Sequence, residues 1–67
     1  MAQMLKVIEV LAESEKSWED AAEGAVKRAA KTVKNIRSIY IEHFEAKVEA
    51  NRVVLYRVNG KISFVLE

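Results

Sequence analysis

The chain contains no cysteine, and in a polypeptide of 67 residues that absence restricts how any fold can be held together. A chain this short buries only about 60% of the surface its unfolded form exposes, so its own core is thin. Small domains make up the deficit with disulfides, a structural metal or association. Disulfides are excluded here, and the lone histidine, His43, lacks the companions that a structural zinc site requires. Association with other subunits is the remaining route. A hydrophobic content of 51% is high for so small a soluble chain, while 31% charged residues argue against a membrane protein. No apolar run approaches the ~20 residues of a membrane span. Met1 to Lys6 lack the basic start and long apolar stretch of a signal peptide, which predicts a cytoplasmic location. A formal net charge of only +1 supplies no global attraction to nucleic acid or to an anionic membrane, so neither is an expected partner.

The hydrophobic period changes twice along the chain. Leu5 to Ala12 is short and rich in β-branched residues, the pattern of a strand. From Trp18 the apolar positions Ala21, Ala22, Ala25, Val26, Ala29, Ala30 and Val33 recur at three- and four-residue steps, one face of an α-helix. Ser17 is placed to cap it, Asp20 completes a variant capping box, and Asn35 is a plausible terminator. Acids Glu19, Asp20 and Glu23 suit the positive helix end, and the later Lys27, Arg28, Lys31, Lys34 and Arg37 read as a solvated face, with Glu23 four residues before Lys27. Beyond Ile36 the alternation is strand-like, with Ile39 and Ile41 on one face and Phe44, Ala46 and Val48 on the other, so a bulge is expected near Glu42 or His43. Glu49 to Arg52 reads as a turn with Asn51 left-handed. The final strand sets Val54, Tyr56, Val58, Ile62, Phe64 and Leu66 on one face and Arg57, Asn59, Lys61 and Ser63 on the other, with Gly60 marking close helix approach or local bending.

Proline is absent and nothing marks a linker, so residues 1–67 are expected to form one domain. The fold class is α+β: a β-α-β-β unit with a three-stranded antiparallel sheet wrapped around one helix. A helix of roughly 17 residues, about 26 Å long, cannot cover a hairpin whose strands reach roughly 36 Å. The uncovered apolar positions, among them Ile39, Ile41, Val53, Leu55 and Val65, favour other subunits over water.

With these elements in place the sequence resembles the dodecin family, in the first strand KVIEVLAES, the helix opening SWEDAAEGAVKRAAKTVKNIR and the closing strand YRVNGKISFVLE. The resemblance implies a hollow homododecamer with flavin (FMN, riboflavin or FAD) held in pairs between subunits near two-fold axes, and storage of a small molecule instead of catalysis. Two positions depart from the family pattern. Ser38 stands where strong flavin binders carry a ring-stacking tryptophan, and Arg57 where a glutamine meets the ring's polar edge. By analogy with bases on aromatic side chains, each lost stack costs ~1 to 3 kcal/mol, so a paired site loses about 2 to 6, roughly 30-fold to 10⁴-fold in affinity. The alternative is an assembly of the same fold that takes no flavin and accepts ions such as calcium or a phosphate-bearing cofactor.

The candidate ligand-binding residues are therefore Ser38, Tyr40 and Arg57. Tyr40 could stack on a planar ligand in place of the missing indole, or pack at an interface beside Ile39 and Ile41. Arg57 could grip an anion, or pair across the sheet with Glu42 or Glu45. Glu42, Glu45 and Glu49 could offer oxygens to calcium at a subunit junction but lack the dense glycine-pivoted loop of a dedicated site. No nucleophile–base pair, paired carboxylate cleft or glycine-rich phosphate loop is visible, so no catalytic residue is expected.

Overall fold

In the computed structural model, which describes residues 3–66, the elements run β1 (Leu5–Ser14), α1 (Trp18–Ala29), β2 (Ile36–Glu49) and β3 (Arg52–Val65). The last strand lies in the middle of the sheet: the order is β1-β3-β2, and both outer strands are antiparallel to β3. β1 and β2 are thus parallel to each other, and α1 crosses one face of the sheet between them. Among the described residues no helix is long and apolar enough to cross a membrane.

The junction between β1 and α1 is built by two serines. The Ser17 hydroxyl accepts from the Asp20 backbone N–H at 2.9 Å, as the cap requires. The reciprocal half of the capping box does not form directly. Instead Ser14, two residues past the expected strand end, accepts from the backbone N–H groups of Lys16 (2.9 Å) and Ser17 (3.4 Å) and donates to the Asp20 carboxylate at 2.7 Å. The helix itself is shorter than expected, 12 residues instead of roughly 17, or about 18 Å. After Ala30 the chain tightens into turns in which Lys31 donates to the Arg28 carbonyl and Thr32 to that of Ala29. Two causes act there: Lys27, Arg28, Lys31 and Lys34 repel one another, and β-branched Thr32 and Val33 lose side-chain freedom in a helix. Asn35 is left-handed (φ 63°) but turns the chain into β2 and does not terminate the helix. At the hairpin, Glu49 pairs with Arg52 and both intervening residues have positive φ, Ala50 at 51° and Asn51 at 62°. Two successive left-handed residues give the turn whose twist matches the strands it joins.

Register fixes the faces. Tyr56, Val58, Gly60, Ile62 and Phe64 of β3 look toward α1, and the fully buried Val58 and Ile62 form the centre of the core with Ala21 at 2% exposure. Trp18 closes one end of this layer, its indole edge-on to Tyr56 (centroids 4.9 Å) and Phe44 (5.9 Å), with Nε1–H donating to the Glu45 carbonyl at 3.0 Å. The expected bulge is present: the register steps from Ile41 to His43 and leaves Glu42 unpaired. Two further shifts, at Ile36/Ser38 and Lys47/Val48, were not expected. Ile39 and Ile41 lie opposite Ile62 and Gly60 and face the helix: the Glu42 bulge puts them on one face with Phe44 and Ala46, and the shift at Ile36/Ser38 brings Ile36 onto that face as well. Gly60 answers to the neighbouring strand and not to the helix: a Cβ there would lie 2.7 Å from the Tyr40 carbonyl oxygen and 3.1 Å from Ile41 Cδ1. The hairpin end projects past α1, leaving Val48, Val53 and Val54 exposed.

Candidate functional site

The sheet face turned away from α1 carries every candidate residue. Its cross-strand rows follow from the register: Leu5 beside Val65, then Val7–Ser63–Ser38, Glu9–Lys61–Tyr40, Leu11–Asn59–His43 and Glu13–Arg57–Glu45. One end is thus apolar and hydroxylic and the other is charged. At the first end Ser38 and Ser63 share a 2.6 Å hydrogen bond between their hydroxyls. One row on, Tyr40 is 67% exposed, and Val7 and Leu11 on β1 stay open as well. Ile39 and Ile41 point to the opposite face, so the interface-packing reading of Tyr40 loses its two neighbours, and the phenol stands over its own face alone.

Arg57 sits six residues from Ser63 along β3, about 20 Å at a strand's rise. One chain therefore brings Ser38 and Tyr40 together but leaves Arg57 at the far end of the same face. There its guanidinium is held on both sides: Nε donates to Glu13 Oε2 at 2.8 Å, Nη2 reaches the same oxygen at 2.6 Å, and Nη1 donates to Glu45 Oε1 at 3.1 Å. The hydrogen bonds it donates, to Glu13 first and Glu45 second, with the field of Glu13, hold its proton even more firmly than usual. Of the two expected carboxylate partners only Glu45 is used, because Glu42 pairs with Lys61 at 3.5 Å. Between the two ends Asn59 donates to Glu9 Oε2 (3.3 Å) and to the Val10 carbonyl (3.4 Å), which turns its Oδ1 toward His43 Nδ1 at 3.5 Å.

Ring and ion fit this surface differently. At Ser38 no aromatic plane is present, Arg57 spends three of its five N–H donors on Glu13 and Glu45, and the rings that this face offers are Tyr40 and the imidazole of His43. For a divalent cation, no three histidine, aspartate or glutamate side chains converge among the described residues, and Glu42, Glu45 and Glu49 are each paired with a cation, Glu49 with Lys47 at 3.4 Å. A separate cleft of about 760 Å³ lies between β1 and α1, lined by Val10, Ala12, Ala21, Gly24 and Ala25 with Glu13, Asp20 and Arg28 at its polar parts, and includes none of the candidates. Sequence reasoning missed Ser63 and Glu13, the partners of Ser38 and Arg57. The odd-numbered alternation of β1 carried the signal for Glu13, but only the pairing of β1 with β3 puts it beside Arg57.

The family model for dodecin matches residues 4–67. Calcium dodecin of Mycobacterium tuberculosis is 36% identical over 59 residues, covering 88% of this chain and 83% of that protein. Its crystal structure, described as that of a calcium-chelating antigen with a novel calcium-binding site, superposes with a TM-score of 0.82 at 33% identity, over 96% of this chain and 91% of that one. The dodecin of Streptomyces coelicolor gives 0.91 at 26% identity over 97% and 93% of the two chains. A protein of Thermus thermophilus gives 0.92 at 26% identity over 98% and 97%.

Proposed function

Because the chain belongs to the dodecin family, we propose that it is a non-enzymatic binding and storage subunit that builds a hollow homododecamer from its 1–67 span, with small molecules held where sheet faces of different subunits meet. The observation that carries this reading is the outer face itself: Leu5, Val7, Leu11 and Tyr40 are 53%, 53%, 65% and 67% exposed around the Ser38–Ser63 pair, while among the described residues only Ala21, Val58, Gly60 and Ile62 are buried. A second copy laid on that face removes apolar surface from water and encloses Ser38 and Tyr40 in one step. A flavin-class ring then rests on Tyr40 without the indole, which is a weak site. Arg57 acts as a wall of the cavity, held by its own carboxylates.

The second reading is ion binding between subunits. It is favoured by the relation to a calcium dodecin and by the outer face, where the four acids Glu9, Glu13, Glu42 and Glu45 face three bases, Lys47, Arg57 and Lys61. Carboxylates from two subunits could then complete a set that one chain does not hold.

Light scattering of the purified protein, with its absorbance spectrum, tests the first reading. A mass near twelve subunits is expected, and a folded species near 7.6 kDa at micromolar concentration would defeat it. For the ligand, flavin fluorescence titration of wild type and Ser38→Trp is expected to show at least about tenfold tighter binding in the variant. Equal affinity together with a calcium-dependent rise in melting temperature would select the ion reading.

A further inference from the structure

The cleft between β1 and α1 lies on the other side of the sheet from Ser38, Tyr40 and Arg57, and one chain builds all of it. Its volume of about 760 Å³ falls within the range of sites that hold small organic molecules. Val10 and Ala12 pair with Gly60 and Val58 and so point toward the helix, where Ala21, Gly24 and Ala25 meet them. Ala21 is buried, while the other four wall residues are half-buried and leave the cavity open to an entering molecule. Among the described residues no aromatic side chain lines it, so its walls suit an alkyl body and offer no plane for a ring to stack on.

Gly24 stands at the middle of the helical wall. Glycine is among the poorest helix formers, and a Cβ added there would have no atom of the chain within 4 Å. Packing inside the chain does not require the glycine, and its effect is to keep the cavity wide at its centre.

Three charged residues border the cleft, and two of them are already engaged. Glu13 turns its carboxylate to Arg57 on the outer sheet face, and Asp20 accepts from the Ser14 hydroxyl at 2.7 Å. Arg28 is exposed and makes no ion pair among the described residues, whose salt bridges all lie on the sheet and its hairpin. The cleft is therefore aliphatic with one unspent charge, a guanidinium whose fork matches a carboxylate. Asp20 lies eight residues before Arg28, about 12 Å along the helix, which sets the acid at the far end from an anionic head held by Arg28.

We propose that the β1–α1 cleft is a second small-molecule site, for a medium-chain aliphatic carboxylate whose alkyl body lies against Ala21, Gly24 and Ala25 and whose head pairs with Arg28. It takes no residue from another subunit and none from the outer sheet face, so it stands apart from the reading of that face.

Calorimetric titration of the purified wild-type protein with octanoate, and with 1-octanol as the same chain without the charge, tests it. One octanoate per subunit is expected, bound about tenfold more tightly than octanol, and Arg28→Gln is expected to reduce octanoate to the octanol level. Gly24→Ala is expected to raise the melting temperature of the ligand-free protein and to weaken octanoate by about threefold or more, opposite shifts that a glycine of structural importance alone would not give. Ser38→Trp, on the outer sheet face, is expected to leave octanoate binding unchanged whatever it does to flavin. The site is overturned if wild type takes up no octanoate at millimolar concentration, as it would if another subunit filled the cleft, or if Arg28→Gln and Gly24→Ala both bind octanoate as wild type does. Loss of octanoate binding in Ser38→Trp would likewise overturn it, by placing the ligand on the outer sheet face.

Discussion

Ala50 occupies a backbone position that alanine disfavours. Its φ of 51° places the Cβ close to the following carbonyl, at about 1 kcal/mol, and its neighbour Asn51 is left-handed too. Asparagine tolerates this region because its short amide bonds locally, and the first position of such a hairpin turn prefers it. Ala50 is exposed, so exchanging it loses no packing. Ala50→Asn is expected to stabilise the protein by about 0.5 to 1 kcal/mol, read as a higher denaturant midpoint at unchanged slope. A midpoint equal to or below wild type would mean that the strain is absorbed elsewhere in the turn. The same residue shows a limit of reading the sequence: Asn51 signalled a left-handed turn, but a two-residue hairpin needs a second such residue, and alanine gives no sign of accepting that role.

At the scale of the strands, the Glu13–Arg57–Glu45 contact is a clasp across the whole sheet, joining β1, β3 and β2 through one guanidinium that is 34% exposed. Arg57→Gln removes the charge that both carboxylates share. The expected result is a lower melting temperature of the assembly with unchanged ligand binding. A variant that keeps its melting temperature but loses binding would make Arg57 a ligand residue after all. The guanidinium of the clasp keeps its charge until strong alkali. Arg57 holds its proton more tightly folded than unfolded, so its contribution is complete below the unfolded value and lost only as pH rises through the folded one, in strong alkali. How far these elements could be read in advance depended on phase. The slip between Ile41 and Phe44 exposed the Glu42 bulge. One extra residue at Glu42 flips the phase, so Ile39 and Ile41 share the helix-facing side with Phe44 and not the side of Arg57; a second slip, between Ile36 and Ile39, was equally present in their three-residue spacing and was left unread. The helix end was obscured because the apolar stripe continues through Ala30 and Val33, whereas the charges beside it stop the helix at Ala29. Ser38, Tyr40 and Arg57 were correctly expected on or beside the sheet, but alternation along one strand says nothing of the distance between rows.

The whole molecule is too open for its size. Its accessible surface is 5360 Å², against about 4,300 Å² for a folded monomer of 7.6 kDa. Its radius of gyration is 13.8 Å, against about 11 Å for a compact chain of this length. The described chain spans 53 × 21 × 13 Å, the shape of one stave and not of a globule. Stability of such a chain should belong to the assembly, so the melting temperature is expected to rise with protein concentration. A melting temperature constant over a hundredfold dilution, with the mass already at one subunit, would show that the thin core suffices alone. The central place of β3 carries one more consequence, in time instead of space. Leu5 pairs with Val65, so β1 must wait for β3, whereas β2 meets β3 directly across the hairpin from Glu49 and Arg52 onward. Distant pairings close more slowly than hairpins, so the β2–β3 hairpin is expected to form before β1 joins its free edge.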